Sequence, residues 1–268
     1  MRVVLGVVLV GLVVCVGCGP PKPTQEEAIA AIKRLGGKVE VDENNDVVDV
    51  SLGGTKITDV GLAHLEGLTK LKSLYLSKTE ITGAGLVHLK GLTKLEVLHL
   101  DNASISDASL KHLEALTGLE DLFLANTKVT DAGLIYLKGM PRLHQLALHG
   151  TKVTDVGLAH LEGLTKLKSL YLSKTEVTGA GLVHLKGLTG LETLSLFLTK
   201  VTDAGLVHLK GLNKLETLFL SGTKVTDAGL EHLKVLTKLD WLQFNNTKIT
   251  DAGVKKLKQA LPNCDISH

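Results

Sequence analysis

The sequence predicts an α/β solenoid: a right-handed coil with short parallel strands in one curved sheet on the concave side and short helices on the convex side. Three observations carry this expectation. From Thr55 the chain repeats every 24 residues without insertion, with units starting at Thr55, Thr79, Ala103, Thr127, Thr151, Thr175, Thr199 and Thr223. Each unit combines two apolar spacings. Leu74 and Leu76, two apart, share one side of a strand, while Leu62 and Leu65, three apart, share one face of a short helix. Ile57, Leu68 and Leu71 complete an apolar set that no single unit can cover, so units must stack on their neighbours. Finally, aromatics are 3% of the 268 residues while 28 are glycine, a uniformity that points to copying of one unit rather than to a mixed globular core. Strand–helix–strand crossovers between parallel strands are right-handed, which sets the hand of the coil.

The elements follow in chain order. Residues 1–18 read as a targeting segment. Arg2 supplies one positive charge, and Val3 to Gly17 is an unbroken apolar run, shorter than the ~20 residues a membrane-spanning helix needs. Such a run behind a positive charge and ending in small residues is the pattern of a signal peptide. Val16-Gly17-Cys18 resembles the bacterial lipobox, although Cys15 stands where that motif has Leu, Val or Ile. The resemblance implies acylation of Cys18, attachment to a membrane through that lipid, and residence in the cell envelope. Ordinary cleavage and an uncleaved signal anchor are the other readings. Cys15 and Cys18 also form a C-x-x-C pair, but they sit inside the apolar leader with no strand–helix context, which argues against redox or metal chemistry. Residues 19–23 form a tether stiffened by Pro20, Pro21 and Pro23.

Residues 24–54 read as an N-terminal cap. Thr24 and Glu27 form a capping-box pattern, and Gln25 to Leu35 places Ala28, Ile29, Ile32 and Leu35 on one side of a helix that Gly36-Gly37 stops. Lys38–Asp42 and Val47–Leu52 alternate apolar and polar residues around Glu43-Asn44-Asn45-Asp46, a hairpin pattern. Val47, Val50 and Leu52 stand 24 residues before Leu71, Leu74 and Leu76, so the second hairpin strand should begin the sheet. The eight units occupy 55–246. Thr58 or Asp59 is expected to cap the first unit's helix, and Gly61 and Gly67 to keep it short. Residues 247–268 form a partial ninth unit, in which Cys264, expected to be a buried small hydrophobe, and Ile266 should end the sheet. Residues 55–93 recur almost unchanged at 151–189, with Val153 for Ile57 and Val177 for Ile81.

Each unit carries L-x-x-L-x-L or a close variant, as at Leu71, Leu74 and Leu76, which is the leucine-rich-repeat signature. The Ile/Val-Thr-Asp-x-Gly-Leu stretch, as in Val225 to Leu230, resembles the cysteine-containing, ribonuclease-inhibitor-like subclass, and the chain is similar to bacterial proteins built of such units. The resemblance covers 47–268 and speaks to fold more than to function. The family's Asn or Cys after the strand is Thr in every unit except the one starting at Ala103, so a threonine ladder bonded to loop backbone is expected. No F-box precedes the repeats, and a ubiquitin-ligase adaptor role is not carried over.

Residues between the core leucines of each strand should face the concave, solvent side. That column includes Tyr75, His99, Phe123, Tyr171 and Phe219, with Phe197 and Trp241 two residues away on the same face. Six of the eight aromatics therefore fall on one face, and only Tyr136 and Phe244 lie elsewhere. Exposed aromatics are typical binding anchors, although bulky residues also favour strands for packing reasons. One cluster stands out: Phe197-Leu198 replaces pairs such as Ser77-Lys78, Ser221-Gly222 and Asn245-Asn246, with Tyr171, Phe219 and Trp241 nearby. The expected binding residues are thus Tyr75, His99, Phe123, Tyr171, Phe197, Leu198, Phe219 and Trp241, and the expected partner is a protein or peptide. The residues that open the strands are Lys72, Glu96, Glu120, His144, Lys168, Glu192, Glu216 and Asp240, which with Asp101 and Asp121 nearby give an acidic rim that hints at a basic partner patch.

Other classes are disfavoured. A net charge of +2 provides no nucleic-acid footprint. Seven histidines recur at one helix position (His64, His88, His112, His160, His184, His208, His232), but helices pack 8–10 Å apart, too far for shared zinc ligands, so no metal or cofactor is expected. Glu66, Lys90, Glu114, Lys138, Glu162 and Lys186 alternate in sign along a helix column and should pair between neighbours. No phosphate loop, nucleophile elbow or H-E-x-x-H is present, so neither catalysis nor a small-molecule substrate is expected. The competing class is a structural spacer with no specific partner, for which near-identical copying of units argues.

Overall fold

The computed structural model describes residues 22–268. The signal segment expected at 1–18, with Cys15 and Cys18, lies outside the described residues, as does the tether up to residue 21.

The chain opens with a helix, Gln25–Arg34, and both bonds of the Thr24/Glu27 capping box form. Ala28, Ala31 and Ile32 are its buried face, and Gly36 takes the left-handed turn (φ 81°) that ends it. Lys38–Val41 (β1) and Val47–Ser51 (β2) pair antiparallel as a hairpin. The turn is held by the Asp42 carboxylate, which accepts the N–H groups of Asn44 and Asp46.

Nine further strands add in parallel, in chain order. They are Ser73–Tyr75 (β3), Val97–His99 (β4), Asp121–Phe123 (β5), Gln145–Ala147 (β6), Ser169–Tyr171 (β7), Thr193–Ser195 (β8), Thr217–Phe219 (β9), Trp241–Gln243 (β10) and Asp265–Ser267 (β11). The register never slips between β2 and β11. Val50, Leu74, Leu98, Leu122, Leu146, Leu170, Leu194, Leu218, Leu242 and Ile266 form one row, and all but Ile266 are fully buried. Each unit lends a thin apolar slice to one continuous core.

The convex side differs from expectation in detail. The first connection is one α-turn, Asp59–Leu62, followed by a 3-10 turn, Ala63–Leu65, and others such as Gly85–Leu89 are 3-10 throughout. Thr58 occupies the helix-capping position but makes no side-chain cap bond, and Asp59 turns to the next unit instead. Its Oδ1 accepts from the Thr82 N–H at 2.7 Å and its Oδ2 from the Thr82 hydroxyl at 2.5 Å. The same clamp joins Asp107 to Thr130, Asp131 to Thr154, Asp155 to Thr178, Asp203 to Thr226 and Asp227 to Thr250. A carboxylate gains more from two charge-assisted bonds across the junction than a local cap offers. Thr154, Thr226 and Thr250 do both, donating to the aspartate and accepting from their own helix. The clamp also accounts for the repeated glycine. A Cβ at Gly157 would lie 2.4 Å from Asp131 Oδ1, so glycine there makes room for the clamp, while at the equivalent Gly61 of the first unit a Cβ would instead meet the Ile57 side chain at 2.8 Å.

Two further expectations are corrected. The repeated threonine hydroxyls do bond backbone, but not one another: Thr79, Thr127, Thr151, Thr175, Thr199 and Thr223 each donate to the carbonyl three residues back, at the end of the preceding unit. The alternating Glu/Lys column does not pair with itself among the described residues. Glu66 and Glu162 instead bond His88 Nδ1 at 2.5 Å and His184 Nδ1 at 2.6 Å, since the next unit's histidine projects between the columns. At the C-terminal end the helix Asp251–Ala260 and β11 cover the last leucines. Cys264 is buried there, and burial pushes its thiol up to about 11.

Candidate protein-interaction face

In-register parallel pairing sets residues 24 apart side by side, so each column of the sequence becomes a row across the sheet. The central solvent-side row runs Ser51, Tyr75, His99, Phe123, Ala147, Tyr171, Ser195, Phe219, Gln243. Its five ring-bearing residues are half-buried. Tyr75 and His99 stand with ring centroids 4.8 Å apart, and His99 stacks on Phe123 at 4.0 Å with 15° between the planes. This is the contiguous part of the face.

The cluster expected around Phe197 is not contiguous. Among the described residues the ring–ring contacts are Tyr75–His99, His99–Phe123 and Phe244–His268. Ser195 separates Tyr171 from Phe219 in the central row, two strand spacings or ~9.6 Å apart. Trp241 opens β10 in a different row, beside Thr217 and Asp265, with 41% of its surface exposed. Phe197 follows β8 in the turn, where the Lys174 ammonium stands 6.0 Å from its ring centroid. Leu198 is 47% exposed and holds a left-handed backbone (φ 54°), strained for a side chain of its kind. Its Cδ2 lies where a Cβ on Gly222 would sit, so it drapes over the next turn.

Sequence reasoning missed what braces the ring stack. Asp101 accepts from the Ala125 N–H at 2.8 Å and the Ser77 hydroxyl at 3.2 Å, and its carboxylate lies 3.7 Å from His99 Nδ1. Burial pushes the Asp101 carboxyl up, but hydrogen bonds from His99, Ala125 and Ser77 outweigh it and hold the group below its ordinary value. The available signal was spacing: Ser77, Asp101 and Ala125 stand 24 residues apart, hence side by side. Asp121 differs, since burial, the largest influence, leaves it above its ordinary value. The expected acidic rim is partly neutralised, with Glu120 paired to Arg142 and Glu192 to Lys168. Among the described residues no group of His, Cys, Asp and Glu is placed to hold a metal ion, and no helix is long and apolar enough to cross a membrane.

Residues 67–89 match the Leucine Rich repeat family. No curated protein matches the chain. Among solved structures the chain is similar to internalin C2 of Listeria monocytogenes, with 27% identity and a TM-score of 0.63 over 90% of this chain and 91% of the other. It is also similar to a leucine-rich-repeat protein of Leptospira interrogans, with 19% identity and a TM-score of 0.56 over 76% and 56% of the two chains. A third is the plant peptide hormone receptor RGFR1 in complex with RGF2, with 17% identity and a TM-score of 0.60 over 85% of this chain and 36% of the receptor. The last two likenesses carry fold alone.

Proposed function

We propose that this leucine-rich-repeat solenoid is a non-catalytic binding module of the cell envelope that presents its concave aromatic face to a protein or peptide. The observation that carries the reading is the row of half-buried rings on the solvent side of a rigid, in-register sheet. Rings on such a floor offer large contact area at little entropic cost, because their backbone is already fixed. RGFR1, whose fold this chain shares, is itself bound to RGF2, which supports a peptide or protein as the partner class. The Ile/Val-Thr-Asp-x-Gly-Leu stretch supports assignment to the ribonuclease-inhibitor-like subclass.

Alanine at Tyr75, Phe123 and Phe219 together should leave the far-UV circular dichroism intact and abolish capture of the native partner. Unchanged capture would count against the reading. The envelope location rests on the Cys18 motif. Cys18→Ser should move the protein from the membrane fraction to the soluble fraction, and an unaltered distribution would remove the lipid anchor from the account. The spacer reading has one observation in its favour, the near-identity of 55–93 and 151–189. Surface variation spread evenly over the concave and convex faces of relatives would favour it.

A further inference from the structure

We propose that the N-terminal half of the concave face binds an extended basic peptide segment, with two cationic side chains four residues apart seated on the acidic row alongside the Tyr75–His99–Phe123 stack. The proposal rests on the concave face being the interaction face. It specifies where on that face, and which chemistry.

The row beside the rings runs Glu40, Asp49, Ser73, Val97, Asp121, Gln145. It begins with an unfavourable arrangement. Glu40 and Asp49 stand directly opposite each other in the antiparallel β1–β2 pair, so both carboxylates project on the same side of the sheet. Like charges in that geometry repel. Burial first, and Glu40 second, push the Asp49 carboxyl above its ordinary value, against a hydrogen bond from Ser73. Three strands on, Asp121 is also half-buried, and its closest hydrogen-bond partner is the Gln145 amide at 3.4 Å. Among the described residues, Glu40, Asp49 and Asp121 form no ion pair with any Lys, Arg or His. Asp101, by contrast, is saturated by its neighbours and serves to hold His99 in the stack.

Glu40 is exposed, but Asp49 and Asp121 are partly buried, and although His144 and His99 act on Asp121, neither carboxylate contacts a cation, so an incoming one relieves their desolvation cost. The acidity is local, since the chain as a whole has a net charge of +2. Between the two acidic points in this row lie only the uncharged Ser73 and Val97. Three strand spacings separate Asp49 from Asp121, about 14 Å. In an extended peptide, side chains four residues apart point the same way and stand about 13 Å apart. A segment of the form Arg-x-x-x-Arg lying across the strands therefore sets one guanidinium at Glu40/Asp49 and the other at Asp121. Its central residue then lies level with Ser73 and Val97, beside Tyr75 and His99, and the second guanidinium lies beside Phe123. Arginine suits the position best because its plane pairs with carboxylates and stacks on rings.

The test uses the full chain and labelled peptides read by fluorescence anisotropy at low salt. The probe is Arg-Ala-Tyr-Ala-Arg, with Glu-Ala-Tyr-Ala-Glu as the opposite-charge arm. Binding of the arginine peptide should weaken by at least about tenfold in the D49N/D121N double variant, and stay unchanged in E192Q, which lies on the far half of the face. D49N alone should raise the melting temperature of the free protein, since it removes the repulsion with Glu40, and a fall instead would overturn the premise. Equal binding of the glutamate peptide, or an unchanged affinity in D49N/D121N, would overturn the basic-segment proposal while leaving a peptide-binding face in place. If neither peptide bound and alanine at Tyr75, Phe123 and Phe219 also left native-partner capture intact, both this proposal and the proposed function would fall.

Discussion

Asp131 joins two units through one side chain: its carboxylate takes both the N–H and the hydroxyl of Thr154 in the next turn of the coil. Asp131→Ala should therefore cost about 1–2 kcal/mol, read by urea denaturation. Two junctions lack the clamp. At one of them Gly83 faces Ser109, whose Oγ instead accepts the Ser106 N–H at 3.0 Å. A Cβ on Gly83 would lie 2.2 Å from Ser109 Cβ, so Gly83→Asp should lower stability, and adding Ser109→Gly should restore it by opening room for a clamp. The single variant proving as stable as the parent would refute this complementarity. Histidines at the repeated helix position also divide. Burial, then Lys90 and Lys111, hold His112 below its ordinary value, and burial, then Lys186, do the same for His208. The folded protein thus takes these protons less readily than the unfolded chain. Their contribution to stability is present above the unfolded value near 6.5 and is lost as pH falls through the window below it. The melting temperature should drop on acidification through that window, and H112Q/H208Q should flatten the slope. None of this was legible in the repeat itself. Aspartate and threonine that touch are 23 residues apart, one short of the period, so equivalence of columns does not reveal which columns meet.

Elements were legible where one force dominates. The apolar spacing of 74 and 76 fixes which side of a strand is core, and the matched positions 47, 50 and 52 disclose that β2 starts the parallel run, although β1 extends the sheet one strand further than expected. Helix form was less legible, because a convex connection of seven residues, 59–65, is set by the distance between stacked strands rather than by propensity. The C-terminal helix Asp251–Ala260 shows what such an element does. Its N-terminus is clamped by Asp227, whose carboxyl the Thr250 hydroxyl and N–H hold below the ordinary value. A depressed carboxyl stabilises above its unfolded value near 3.9 and loses that effect as pH falls through the folded value. Amide protection factors in 251–260 should fall on acidification more in the parent than in D227N, which has already lost the charge. An equal fall in both would show that the clamp does not hold this helix.

At the scale of the whole molecule, every unit is stabilised by its neighbours, so the solenoid is a rigid support whose outer row can vary without disturbing the core. The column of ring-bearing positions was legible because strand alternation alone puts it on the solvent side. Which rings would touch was not, since Ala147 and Ser195 interrupt the row and the turn carries Phe197 away from the strand. Partners are expected to meet the sheet face and leave the helical face free. Site-specific photocrosslinking tests this most directly, with a benzophenone side chain at Tyr171 or Phe219 on the sheet and at Val60 or Val156, which are 80% and 68% exposed on the opposite side. Partner adducts from the two sheet positions alone are predicted. Adducts from Val60 or Val156 with none from Tyr171 and Phe219 would contradict the account.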